Sequence, residues 1–370
     1  MQYKRIVIKL GTNLLTGGGG SLELKVMADL AGQVAKLHHD GHQIIVVSSG
    51  AVAAGRDLLG IKNKRRDIPF TQVMASVGQN RLMNIYYGLF LEHGINVAQA
   101  LLTRSDLTDR AHYLNARNTL LALIDLKVIC VVNENDVVCT DELGEQRFGD
   151  NDNLSAMVAN LVDADLLVLL SDVGGLYTAD PQQDPRAKLI PVVDIIDNKI
   201  EEMAGGTGSA RGTGGMVTKL EAARLATSSG VPVIIAKGSL PGVITEAASG
   251  KSVGTFFTAR DSKIESRQRW LLSGLSCMGR LFIDKGAAAA LHRQKKSLLP
   301  AGIVEVEGSF KRGDVVDIFE SGGKKIGSGI ANYSSGDLLR IRGEKSAAIA
   351  DILGYVYGDE AVHRDNLALV

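Results

Sequence analysis

Of the 370 residues, three are cysteine, seven proline and one tryptophan, and aromatic residues make up only 5%. Cys130, Cys139 and Cys277 form no CxxC pair and are odd in number. That excludes a disulfide framework and a thiolate metal site, and leads us to expect reduced thiols in a cytoplasmic protein. No apolar run approaches the roughly 20 residues of a spanning helix, so no membrane role is expected. The opening MQYKRIVIKLG is too short and too charged to read as a signal peptide. A surplus of either charge is missing too. Forty-one basic residues face 41 acidic ones, so no overall field favours nucleic acid or an acidic membrane. What is present is a hydrophobic fraction of 45%, a charged fraction of 22% and 42 glycines. This is the composition of a globular chain, long enough for two domains.

The chain divides by pattern. Up to about residue 257, short apolar runs alternate with helical spacings. IVIKL (6–10), IIVVSS (44–49), VICVVN (128–133), LLVLLSD (166–172) and VPVIIA (231–236) read as strands buried on both faces. Leu22, Val26, Leu30, Val34 and Leu37 keep helical spacing, as do Leu154, Val158, Leu161 and Val162. The alternation predicts a mainly parallel sheet covered by helices on both sides, with ligands at the carboxyl ends of its strands. Beyond it, TARDSKIESRQRWLLSG (258–274) has the composition of a linker. GIVEVEG, GDVVDIFE, KKIGSGIANY and DLLRIRG then read as short alternating strands of a small β-barrel or sandwich. We therefore expect domains at 1–258 and 276–370, joined by a linker at 259–275.

The chemistry-bearing residues cluster after the buried runs. Lys9-Leu10-Gly11-Thr12-Asn13 places an ammonium and exposed backbone N–H groups at a strand end, a combination suited to a phosphate. Ser48-Ser49-Gly50-Ala51-Val52-Ala53-Ala54-Gly55 opens a helix of small residues whose N-terminus favours an anion, or else packs tightly on the sheet. Asn133-Glu134-Asn135-Asp136 and Gly149-Asp150-Asn151-Asp152-Asn153 supply carboxylates and amides that suit a substrate ammonium, an orienting role toward lysines, or a helix cap. Ser171 to Pro181 has the turn chemistry of a loop that folds over a ligand. SARGTGGMVTKLEAARLATSSG (209–230) lacks the Gly-Lys-Ser/Thr of a Walker loop. Its Gly212, Gly214 and Gly215 nevertheless precede a helix with Lys219 in its first turns, so amides and lysine suit a phosphate by another route.

In combination, VIKLGTNLLT, VVSSGAVAAGR, NENDVV, GDNDNLSA, GLYTADP and GTGGMVTKLEAA resemble the gamma-glutamyl kinases of the amino acid kinase family. LLPAGIVEVEGSFKRGDVVDI through ILGYVYG is similar to a PUA domain. The resemblance covers nearly the whole chain. It implies an αβα three-layer sandwich with a mainly parallel sheet, followed by a small β-rich PUA-like domain. It further implies ATP-dependent phosphorylation of the side-chain carboxylate of L-glutamate, the first step of proline biosynthesis, with Mg²⁺ accompanying ATP. Proline as feedback inhibitor and a homo-oligomer are also implied. By the same resemblance Lys9 and Lys219 contact the phosphates and Asp152 holds the lysines. Ser49, Asp136 and Asn151 match substrate positions. Gly11, Ser171, Asp172 and the run Thr213, Gly214, Gly215, Met216, Val217, Thr218 and Lys219 belong to the nucleotide site. Asn13 stands where a small hydroxyl residue is common.

The absence of a histidine or cysteine from these motifs agrees with this chemistry. A carboxylate acceptor is already ionised at pH 7 and needs no general base. Transfer of a phosphoryl group to it needs positioning and positive charge, which two lysines and the amides of Gly50 and Ala51 supply. The alternatives are another kinase of the fold (acetylglutamate, aspartate or uridylate) and RNA binding through the tail. Residues 276–370 carry thirteen Lys/Arg against twelve Asp/Glu, which is not a nucleic-acid footprint.

Overall fold

The computed structural model describes residues 2–61, 67–138, 151–181, 183–205, 215–259 and 277–369. Cys139, Gly149, Asp150, Thr213, Gly214 and nearly all of the expected linker 259–275 lie outside the described residues. The chain separates into two compact units, Met1–Leu107 with Ala116–Asp261, and Thr108–Asn115 with Ser262–Val370.

The first unit is built on an eight-stranded sheet. Its strands are β1 (Arg5–Leu10), β2 (Gln43–Ser48), β3 (Val97–Leu102), β4 (Ile129–Glu134), β5 (Leu166–Ser171), β6 (Val192–Val193), β7 (Val233–Lys237) and β8 (Thr255–Phe257), in the order β3-β4-β2-β1-β5-β7-β8-β6. Every neighbouring pair is parallel except β7 with β8. Val, Ile and Leu fill β1, β2, β4 and β5, so the central strands bury both faces, as a helix-covered parallel sheet requires. The mainly parallel sheet expected from the alternation is present. On one face lie α2 (Leu24–His39), α4 (Ile68–Leu91) and α10 (Val243–Ala248), whose apolar stripes pack on Ile6, Ile8, Leu10, Val168, Leu170 and Ile234. Against the central strands of the other lie α7 (Asn151–Leu161) and α9 (Gly215–Ser228). The short α1 (Thr12–Leu15) follows β1 directly, α3 (Ala51–Leu58) follows β2, α5 (Arg104–Thr108) and α6 (Arg110–Asp125) lie between β3 and β4, and α8 (Asn198–Met203) precedes α9.

Two departures from the sequence reading are informative. The edge strand β3, VAQALL, was not anticipated, because it has neither a β-branched run nor strict alternation and is nowhere fully buried. Gly55 does not serve helix–sheet packing. A Cβ there would overlap the Met74 carbonyl, and one at Gly78 would overlap the Ala51 carbonyl, so α3 and α4 cross backbone to backbone.

The second unit has a five-stranded sheet. In it β9 (Gly279–Ile283), β10 (Ile303–Gly308), β11 (Val315–Glu320), β12 (Lys325–Ile330) and β13 (Leu367–Leu369) take the order β10-β9-β11-β12-β13. Three of the expected strands are found. DLLRIRG is not a strand: most of it is helical, within Ser335–Ile341. Ser334 and Asp337 form a capping box at its start, which overrides the alternating pattern. Leu114 joins Val315, Ile330 and Ala368 in a small apolar cluster of this unit.

Candidate active site

The chain leaves β1 for β2 on one side and later adds β5 on the other. The carboxyl ends of β1 and β5 therefore flank a topological switch point, the place where open α/β sheets bind ligands. Ile6, Ile8 and Leu10 point toward α2 and α10. Strand alternation sends Lys9 to the opposite face, toward α7. There its side chain is only 2% exposed.

A buried ammonium needs a counter-charge. Asp152, fully buried in the first turn of α7, supplies it with Oδ1 at 2.7 Å from Lys9 Nζ. Its Oδ2 lies 3.0 Å from Nζ of Lys219, which is buried in the second turn of α9. Thr218 Oγ1 donates to the same Oδ2 at 3.1 Å, and Lys219 Nζ donates also to the Gly215 carbonyl at 2.9 Å. One carboxylate thus binds two ammonium groups from opposite sides, leaving a net positive centre at the switch point. A side chain at Gly11 would fill the space beside it, since a Cβ there would lie 3.4 Å from Lys9 Nζ.

Next to this centre is a polar cluster at the end of β2. Gly50 adopts φ 103°, a left-handed conformation that suits glycine, and α3 begins at Ala51. The first N–H groups of α3 have no intrahelical acceptor, so they are available to an anion. Asn151 Nδ2 has two protons and three acceptors within reach, the Ser48 carbonyl at 2.9 Å, Ser49 Oγ at 3.0 Å and Asn133 Oδ1 at 2.8 Å, so one N–H is shared between two of them. Asn133 Nδ2 in turn donates to Gln79 Oε1 of α4 at 2.8 Å. Past β4, Asp136 lines a cavity of about 370 Å³ together with Gln79, Gln99, Glu134 and Asn135. Burial, and secondarily the charge of Glu134, pushes the Asp136 carboxyl up to about 6.

On the other side of the switch point, Ser171 Oγ donates to Asp172 Oδ1 at 2.9 Å and Asn13 Nδ2 donates to Asp172 Oδ2 at 3.2 Å. Burial alone would raise the Asp172 carboxyl. Hydrogen bonds from Ser171, Asn13 and the backbone, with the charge of Lys219, outweigh it and hold the group below the usual range. Met216 and Val217 sit in the first turn of α9, partly exposed. The loop after β5 is pinned rather than open, since Leu176 N–H donates to Thr255 Oγ1 at 2.8 Å.

Lys9, Asp152, Thr218 and Lys219 are therefore brought together. Ser49 and Asn151 form a second group, and Ser171 and Asp172 a third. Asp136 reaches the second group only through shared neighbours. The sequence reading singled out the Asn133 segment but not Asn133 as a site residue, and it missed Gln79 altogether. An amide directly after a buried strand was the available signal for Asn133. A glutamine within a long helix gives none.

The amino acid kinase family matches residues 4–237, and the PUA domain matches residues 279–353. Glutamate 5-kinase of Dehalococcoides mccartyi strain CBDB1 is 55% identical over 368 residues, covering 100% of this chain and 99% of the relative. Glutamate 5-kinase of Herpetosiphon aurantiacus is 48% identical, covering 99% of this chain and 98% of the relative. Among solved structures, UMP kinase from Bacillus anthracis is similar with a TM-score of 0.48 at 18% identity, over 70% of this chain and 98% of that one. The chain belongs to the amino acid kinase family and carries a PUA domain toward its C-terminal end.

Proposed function

We infer that the chain is a phosphotransferase that moves the γ-phosphoryl group of ATP to the side-chain carboxylate of L-glutamate, giving L-glutamyl 5-phosphate for proline biosynthesis. The observation that carries this reading is the pair of buried lysines tied by Asp152 at the switch point. The full-length similarity to glutamate 5-kinases supports the choice of acceptor over acetylglutamate, aspartate or a nucleotide.

The geometry suits the reaction. Nucleophile and donor are both anionic, so the barrier is largely electrostatic. Lys9 and Lys219 supply charge to the transferring group, and Asp152 keeps both at the spot without neutralising them. Ser49 and the amides of Gly50 and Ala51 hold the acceptor carboxylate, Asn151 belongs to the same substrate site and holds Ser49 in place, and Asp136 takes the α-ammonium. Ser171, Asp172 and the first turn of α9, from Gly215 through Met216 and Val217 to Thr218, hold the nucleotide. Thr218 does so indirectly, since its hydroxyl serves Asp152. Magnesium brought with the nucleotide would supply further positive charge to its phosphates, since among the described residues no cluster of His, Cys, Asp or Glu could hold the ion by itself.

Feedback inhibition by proline, a homo-oligomeric assembly and a cytoplasmic location complete the proposal. The first two rest on the family resemblance, and the location on the few, unpaired cysteines. Among the described residues no helix is long and apolar enough to cross a membrane. ADP formation from ATP is measured with L-glutamate, D-glutamate, aspartate, acetylglutamate and UMP as acceptors. Turnover is expected with L-glutamate. Turnover with another acceptor and none with L-glutamate overturns the assignment.

A further inference from the structure

The hydrogen bonds around Asn151 have a direction that chemistry forces. The Ser48 carbonyl has no proton, so the atom of Asn151 facing it must be the amide nitrogen. That nitrogen only donates, so Asn133 must present its oxygen to it and turn its own nitrogen to Gln79. Gln79 then presents its oxygen. A backbone carbonyl at the end of β2 thereby fixes the polarity of three side-chain amides, ending on α4.

The direction has a consequence at Ser49. An amide nitrogen cannot accept, so in its contact with Asn151 Nδ2 the serine oxygen is the acceptor, through an N–H shared with a second acceptor, and the hydroxyl proton is left for another partner. Ser49 is thereby held as a donor, the role an anionic acceptor substrate calls for. The arrangement costs stability. Among the described residues, Gln79 Nε2 and Asn151 Oδ1 are buried without a hydrogen-bond partner. Such orphaned groups are rare in folded proteins and collect where function demands them.

We propose that Gln79 is a positioning residue for the acceptor site, anchoring through Asn133 and Asn151 the orientation in which the Ser49 hydroxyl donates to the substrate carboxylate. The proposal rests on the reading of this site as the glutamate site. Gln79 acts through its neighbours, so it should affect acceptor binding and leave the nucleotide side alone. Its effect should also vanish when there is no Ser49 hydroxyl to aim.

The test is a cycle on the full-length protein, with Gln79→Met, Ser49→Ala and the double variant assayed for glutamate-dependent ADP formation. Gln79→Met should raise the KM for glutamate about fivefold, the scale of one lost neutral hydrogen bond, with the KM for ATP nearly unchanged. In the Ser49→Ala background the same substitution should change the KM for glutamate less than about twofold, the limit at which coupled sites count as silent. Gln79→Glu keeps an oxygen opposite Asn133, so the factor lost on Ser49→Ala in that background should match the one in the natural protein. It carries the cycle if Gln79→Met does not fold. An unchanged KM in Gln79→Met, a Gln79→Met factor that is the same with and without Ser49→Ala, or a Ser49→Ala factor that differs in the Gln79→Glu background overturns the relay. A natural protein without glutamate-dependent turnover instead overturns the functional reading on which it stands.

Discussion

Asp152→Asn isolates the electrostatic centre with the least change of shape. The carboxylate is fully buried and lies 2.7 Å from one ammonium and 3.0 Å from the other. At an effective dielectric of about 20, each contact is worth about 6 kcal/mol before desolvation. Desolvation consumes much of that, and breaking a buried pair from one side costs about 3–5 kcal/mol net. The asparagine can still accept one N–H, which favours the low end, and a loss near 3 kcal/mol lowers the melting temperature by on the order of 10 °C. The turnover number should fall roughly 10²- to 10³-fold, the cost of disordering a preorganised electrostatic site. Adding Lys9→Met removes one of the two cations left facing each other. Stability should then recover in part while turnover does not, because the lost lysine is itself part of the site. Calorimetry and glutamate-dependent ADP formation on both variants read the two effects separately. If Asp152→Asn melts with the natural protein, or the double variant is no more stable than the single one, the charge argument fails.

Three further outcomes follow from the same geometry. Because burial pushes the Asp136 carboxyl up to about 6, a proton there competes with the substrate ammonium. The KM for glutamate should be flat above pH 7 and rise as pH falls through 6, and Asp136→Asn should raise the KM and remove that dependence. Gly78→Ala forces α4 off the Ala51 carbonyl, so it should lower both thermal stability and the kcat/KM for glutamate. A normal kcat/KM would show that the crossing does not position the start of α3. Finally, we propose that a chain ending near residue 260 still folds by circular dichroism and phosphorylates glutamate, although Leu114 loses Val315, Ile330 and Ala368 and solubility should suffer. A folded but inactive fragment would place part of the chemistry in the tail.

The sequence revealed the fold where one physical demand dominated. A strand buried on both faces needs consecutive branched apolar residues, and IVIKL, IIVVS and LLVLLS announce themselves. VAQALL at the sheet edge is under weaker demand, since only one neighbour pairs with it, and its letters fit helix as well as strand. DLLRIRG shows the reverse failure. Its alternation is real, but the local bonds of Ser334 with Asp337 decide the conformation first.

The site divides along the same line. Lys9 stands out because a charged residue inside a buried apolar strand needs a reason, Lys219 because it follows a run of glycines at a helix start, and Asp152 only through the family resemblance; in the structure the reason for each is the others. Asn13 shows what a resemblance leaves out. It departs from the usual small hydroxyl, yet its longer side chain reaches Asp172, a contact no motif predicts. Gln79 is harder still. It lies within a 24-residue helix with no capping, periodic or charge signal to mark it, and it matters only because the crossing of α3 and α4 sets where that helix lies. Gly55 and Gly78 govern that crossing, so the polar relay at the acceptor end depends on two residues without side chains. Substitutions at those glycines should therefore weaken glutamate binding together with the fold, because each added Cβ would overlap a backbone carbonyl of the facing helix.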